Sequence, residues 1–236
     1  QGVSSAASDV YKRQIQGRLI LMPANNIHAS LAGQRVSPVD GLNFNRTFPG
    51  DPLGTITHQI SAFIHDYIFP CADVFIDLHS GGSSLDIIPS AIIEPSEDRA
   101  LLQKNIAAVR AFGAPMTVVI ANMGDPRTAT AAAVRAGLVT VGTEMGGGGT
   151  VNLEALEICR QGVRNVLAHF GVLSSSQPVQ HKPSTILELP GSKAYVFASV
   201  DGVFEPFHHN GEKVSAGQPA GRIHYFWDLN RQPELL

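Results

Sequence analysis

Two carboxylates, one imidazole and a set of guanidinium groups occupy places in this sequence where a polar residue meets glycine. In "VFIDLHSGGSSLD" (74–86) an apolar run reaches Asp77 and His79 and then opens into glycine. In "LVTVGTEMGGGG" (138–149) a second apolar run ends at Glu144 before four glycines. Ligands in open α/β sheets bind beyond the carboxyl ends of the strands, so parallel strands would bring His79 and Glu144 to one rim. His79 there could be a metal ligand, a base or a buried structural side chain. Imidazole is the commonest nitrogen ligand for zinc, and Asp77 is close enough in sequence to orient it. A carboxylate beside a zinc-bound water can take its proton and pass it to a leaving nitrogen. The third stretch, "GQRVSPVDGLNFNRTFPG" (33–50), offers Arg35, Asn45 and Arg46. Fork-shaped cations of this kind clamp a substrate carboxylate or hold a developing oxyanion.

Each of these residues also has a plainer reading. His79 alone could be a satisfied core histidine, Glu144 a loop acid or helix cap, and Arg46 a surface ion-pair arginine. Other suggestive stretches carry less. "GGGGT" (146–150) lacks the lysine of a phosphate-binding loop. "NRT" at Asn45 is a formal glycosylation sequon with no secretory signal beside it. His208 and His209 are adjacent, and adjacent strand residues point to opposite faces. His28 and His58 have no partner at ligand spacing and read as surface histidines. A serine hydrolase is disfavoured because no "GxSxG" elbow occurs.

The elements that must position these residues follow from periodicity and turn chemistry. Leu19–Met22 reads as a short buried strand closed by Pro23, and a polar, turn-rich loop follows it. Apolar residues at 60, 63, 64, 67 and 68 predict a helix over 57–69, capped by Thr55 or Thr57. Val74–Leu78 is a strand. Residues 96–112 form a helix with Ser96 as its cap. "MTVVIA" is a strand, "TATAAAVRAG" a helix closed by Gly137, "LVTVGTEM" a strand, and 152–173 a long helix. Strands alternating with helices predict an α/β fold: a mostly parallel or mixed sheet with helices on both faces. A Ser/Pro-rich linker spans 174–185. Residues 186–236 then read as a small all-β unit, with turns at Asp201-Gly202, Asn210-Gly211 and Ala216-Gly217.

Composition narrows the partners. A net charge of −3 and a pI of about 6.3 argue against nucleic acid and anionic membranes, which favour a basic face. No apolar run is long enough for a transmembrane helix. Cys71 and Cys159 form no metal or redox motif and read as buried thiols, which fits a reducing cytoplasm. Residues 1–14 read as a leader foreign to the fold, and the ending "QPELL" suggests truncation.

Taken in order, "GLNFNRTFPG", "DLHSGG" and "GTEMGG" resemble the succinylglutamate desuccinylase/aspartoacylase family, zinc enzymes related to metallocarboxypeptidases. The resemblance covers most of 15–173 and is nearest to bacterial members that include N-acetyl-diaminobutyrate deacetylases. It implies a zinc-carboxypeptidase-like fold and a zinc-dependent hydrolase of an N-acyl amino acid. His79 would be a zinc ligand and Glu144 the general acid/base. Asn45 and Arg46 would bind the substrate carboxylate and Arg35 would stabilise the oxyanion, with Arg135 a further substrate contact. The family's remaining zinc ligands lie in an "HxxE" motif, expected upstream of residue 15. This chain is therefore expected to be an incomplete fragment, inactive alone. The β unit resembles half of a biotinyl/lipoyl-type barrel-sandwich, without an evident carrier lysine, and is expected to cover the active-site mouth or to serve a homo-oligomer contact. The alternatives are a carboxypeptidase acting on peptides and a non-catalytic acyl-amino-acid binding module.

Overall fold

The computed structural model describes residues 15–120, 125–174, 183–189 and 191–236. The expected leader and most of the expected linker lie outside the described residues. The described residues fall into two compact units that divide between Glu188 and Leu189.

The first unit is built on five strands: β1 (Val74–Asp77), β2 (Ser90–Ile93), β3 (Met116–Val119), β4 (Val139–Glu144) and β5 (Thr185–Glu188). Their order is β1-β4-β2-β3-β5, and every pairing is parallel except β2 with β4. Five helices accompany them: α1 (Ile27–Ala32), α2 (Ile56–Phe63), α3 (Arg99–Phe112), α4 (Ala129–Arg135) and α5 (Leu153–His169). Strand alternation sorts the core into two clusters. Val74 and Ile76 pack with Val139, Val141, Ala91 and the inner residues of α3 and α5. Phe75, between them in sequence, packs with Phe48, Phe69 and the alanines of α4. Helices therefore cover both faces of a mixed, mostly parallel sheet.

Local chemistry explains most helix ends. Asp98 caps α3 by accepting from the backbone N–H groups of Ala100 and Leu101, and Gly113 closes that helix at φ +77°. Thr128 and Asn152 cap α4 and α5 in the same way. The expected cap Ser96 instead accepts a hydrogen bond from the N–H of Asp98. The helix expected over 57–69 is α-helical only to Phe63, then runs as a π turn over Ile64–Ile68 and a 3-10 turn over Phe69–Cys71.

Three local expectations need correction. Leu19–Met22 is not a strand, and its side chains are exposed. Its β-forming residues find no ladder beside them among the described residues, and strand propensity without pairing does not make a strand. The stretch after Asn26 is not all loop, because the Asn26 side chain caps α1 and Gly33 ends it in the left-handed conformation. Strand β2 went unread, since its residues show no alternation and prolines flank them.

The second unit is a three-stranded antiparallel sheet of β6 (Val203–Pro206), β7 (Gly221–His224) and β8 (Glu234–Leu235), with Ile223 and Tyr225 buried. Residues 186–188, read from sequence as part of this unit, belong to β5 and pair with β3. Their main-chain ladder with 117–119 outweighs the local resemblance to the short strands that follow.

Candidate active site

Strands β1 and β4 run parallel, with Asp77 opposite Gly142. Continuing that register places His79 beside Glu144. The backbone fixes this placement, since the His79 N–H donates to Thr143 Oγ1 at 3.1 Å and its carbonyl accepts from the Met145 N–H at 2.9 Å. Beyond this point the two chain ends zip together. The Gly81 N–H donates to the Gly146 carbonyl, Gly146 to Ile87, Gly148 to Leu85 and Gly149 to Gly82. The glycines are there because the backbones touch: a Cβ on Gly147 would stand 1.9 Å from the Leu85 carbonyl oxygen, and one on Gly81 2.2 Å from it.

His79 Nε2 lies 2.9 Å from Asp77 Oδ2. Burial works to lower the His79 pKa. The Asp77 hydrogen bond and charge, helped by the Glu144 charge, outweigh burial and hold it above its ordinary value, while Arg35 opposes them. Burial raises the Glu144 pKa; the charges of His79 and Arg35 pull it down, and that of Asp77 adds to the rise. Glu144 Oε2 is a buried oxygen with no hydrogen-bond partner among the described residues. Arg35 is exposed, yet close enough for its charge to act on both groups.

The 3-10 turn Phe44–Arg46 delivers two more residues. Asn45 Oδ1 accepts from the Ala129 N–H at 2.7 Å, and Asn45 Nδ2 lies 3.4 Å from His79 Nε2. Asn45 therefore stands between His79 and the first turn of α4. Arg46 donates to its neighbour's carbonyl at Asn45 and pairs with Asp125 at 3.3 Å. Asp125 also takes Arg127, and those hydrogen bonds hold its carboxyl down at about 2. A cavity of about 420 Å³ lies on the Arg46 side, lined by Arg127, Asn43, Pro49 and His58 among others; it meets the cluster only at Arg46.

His79, Glu144, Arg35, Asn45 and Arg46 are thus joined by direct contacts or by charge. Arg135 is tied elsewhere: its guanidinium donates to the Pro126 carbonyl at 2.6 Å. Sequence reasoning missed Asp125, Arg127 and Thr130. The signal for Asp125 was its place in "GDPRT", a turn directly before a helix.

Catalytic zinc typically takes three protein ligands and keeps one open position. Among the described residues, no group of three His, Cys, Asp or Glu could hold a metal ion. His79 by itself therefore does not complete such a site.

Comparison with known proteins gives the family. The model of the succinylglutamate desuccinylase/aspartoacylase catalytic domain matches residues 3–170, starting inside the stretch set aside as a leader. The N-alpha-acetyl-L-2,4-diaminobutyric acid deacetylase of Halomonas elongata is 36% identical over 225 residues, covering 95% of this chain. The chain spans 65% of the length of that relative. A crystal structure of a succinylglutamate desuccinylase/aspartoacylase from Rhodobacter sphaeroides superposes with a TM-score of 0.87 at 38% identity, over 98% of this chain and 71% of the other. The product-bound ectoine utilization protein EutE from Ruegeria pomeroyi gives 0.90 at 36% identity, over 94% of this chain and 67% of the other. With three motifs on one sheet rim and a domain match across most of its length, this chain belongs to the succinylglutamate desuccinylase/aspartoacylase family.

Proposed function

We propose that the chain carries the catalytic rim of a deacylase that hydrolyses the amide bond of an N-acyl amino acid. The observation that carries this reading is the unpartnered, buried Oε2 of Glu144 beside His79. A half-buried carboxyl with a raised pKa suits a group that takes and returns protons near neutral pH. Glu144 takes a proton from the attacking water as its oxygen bonds to the acyl carbon. It then gives that proton to the nitrogen as the C–N bond breaks, releasing a carboxylic acid and an amine, which become carboxylate and ammonium as the acid's proton passes to the amine. Arg35 faces the oxygen that becomes negative, and Arg46 holds the substrate carboxylate. Asn45, fixed through its Oδ1 by the Ala129 N–H, keeps its amide N–H groups for the substrate. Zinc would take His79 as one ligand and, when bound, supplies Lewis-acid polarisation; its other ligands are not among the described residues.

The test compares amine release from N-acetyl amino acids with cleavage of C-terminal dipeptides. Glu144→Gln should lower turnover by about 10²-fold or more while leaving the calorimetric Kd for an N-acyl amino acid nearly unchanged. Retained turnover in that variant, or faster cleavage of dipeptides, overturns the reading.

A further inference from the structure

Asp77 has a second partner besides His79. Thr130, buried in the first turn of α4, donates its hydroxyl to Asp77 Oδ2 at 3.1 Å. The same oxygen meets His79 Nε2 at 2.9 Å. Three side chains from three elements therefore form one line, from α4 through β1 to the rim. We infer that Thr130 is a positioning residue that fixes the orientation of the Asp77 carboxylate and, through it, the plane of the His79 ring.

The surroundings favour an orienting role over simple hydrogen-bond satisfaction. The Asp77 side chain is only 15% exposed, so few waters can substitute for a lost donor. A carboxylate with one partner can swing about its last torsion, because such terminal rotations are broad. With two partners on one oxygen that rotation is fixed. Asn45 Nδ2 packs beside the same ring nitrogen at 3.4 Å, and Asn45 is itself held by the N–H of Ala129, the neighbour of Thr130. Both residues against this ring nitrogen are thus held from the same helical turn, and movement of that turn would displace both together. Thr128 secures the turn by accepting from the Ala131 N–H. Asp77 is the partner one step removed from the ligand, and loss of such a partner typically costs about 10–100-fold in affinity or activity, so loss of the group that holds Asp77 belongs at the lower end of that range.

The inference rests on the deacylase reading only for its kinetic consequence, and the experiment separates the two. Thr130→Val keeps the shape and removes the hydroxyl, whereas Thr130→Ser keeps the hydroxyl. Ring-nitrogen NMR of the full chain reports the His79 ring directly, without substrate. Thr130→Val should shift or broaden the His79 ring resonances while Thr130→Ser leaves them near those of the parent, with both variants melting cooperatively. In the assay above, Thr130→Val should lower kcat by about tenfold with KM within about twofold, and Thr130→Ser should restore it. Unchanged His79 resonances in Thr130→Val overturn the inference whatever the kinetics show. Failure of Thr130→Ser to restore the resonances also overturns it, because the methyl group and not the hydroxyl would then matter. If the resonances respond as expected but no N-acyl amino acid is hydrolysed, the deacylase reading fails and the positioning role stands.

Discussion

Glu144 and Asp40 are both carboxylates, and their surroundings send them in opposite directions. Burial pushes the Glu144 pKa up, which suits proton transfer. Asp40 is held well below the ordinary carboxylate value: burial opposes this, but the hydrogen bonds from Thr57 and its neighbours win. Those bonds cap α2 from a distance. Thr55, the formal N-cap, makes no side-chain cap bond, while Asp40 accepts from the Thr57 N–H and hydroxyl at 2.9 Å each. Asp40→Asn should cost about 1 kcal/mol at neutral pH, because charge-assisted hydrogen bonds to the carboxylate become neutral ones. The sign of its pH dependence follows from the lowered folded pKa. The contribution is present above the unfolded value of 3.8 and is lost as pH falls toward the folded one. The gap between the urea midpoints of parent and Asp40→Asn should therefore narrow from about pH 5 to about pH 2. A gap independent of pH would mean that the charge of Asp40 is not what holds α2. At Arg46, planar geometry matters as well as charge. The guanidinium spends one N–H on Asp125 and another on the Asn45 carbonyl, and it still has donors to offer. Arg46→Lys should raise KM about tenfold or more with a smaller change in kcat, because an ammonium cannot reproduce the fork. An equal fall in kcat with KM unchanged would place Arg46 in the transition state and not in substrate holding.

At the scale of elements, the decisive construction is the zipped pair of glycine turns after β1 and β4. Their sequences announced the strand ends, but not that the two turns would bond to each other. Gly147 is the tightest point. Gly147→Ala would drive a methyl group into the Leu85 carbonyl, in a backbone conformation with φ +154° that L residues rarely adopt. The expected cost is about 2–4 kcal/mol in a thermal melt, with amine release in the assay proposed above lost along with it, since His79 and Glu144 sit at the base of the turns. A variant with parent stability would show that the close approach is relieved by loop movement. Thr130 and Asp125 illustrate why part of the site escaped sequence reading. Thr130 lies in the first turn of α4 and Asp125 just before that helix, 53 and 79 residues beyond Asp77 and Arg46 in the chain. Nothing local in "DPRTAT" distinguishes a hydroxyl that serves its own helix from one that reaches a strand.

At the scale of the whole molecule, the boundary between the units carries a prediction. A chain ended at Glu188 keeps β5 on β3, whereas one ended at Leu173 strips β3 of that neighbour. The shorter form should be less stable by about 2 kcal/mol, the order expected for a few exposed ladder hydrogen bonds, as read from urea midpoints of the two truncations. Equal midpoints would mean that β5 contributes nothing to the first unit. The 48-residue second unit buries Ile223 and Tyr225 among its large side chains and leaves Phe204, Phe226 and Trp227 exposed. So small a core gives little stability alone.

The sequence by itself determined the α/β class, the strand ends at which His79 and Glu144 stand, and the family. Strand-forming runs that stop at a polar residue and glycine are local patterns, and motif order survives in one dimension. The tertiary structure alone decided that β2 enters antiparallel beside β4, that Leu19–Met22 stays unpaired, and that Asp40 caps a distant helix. It alone showed that one turn of α4 holds both residues that meet His79 Nε2. These depend on which backbone groups find partners across the fold, and pairing between distant segments leaves no period in the chain to read.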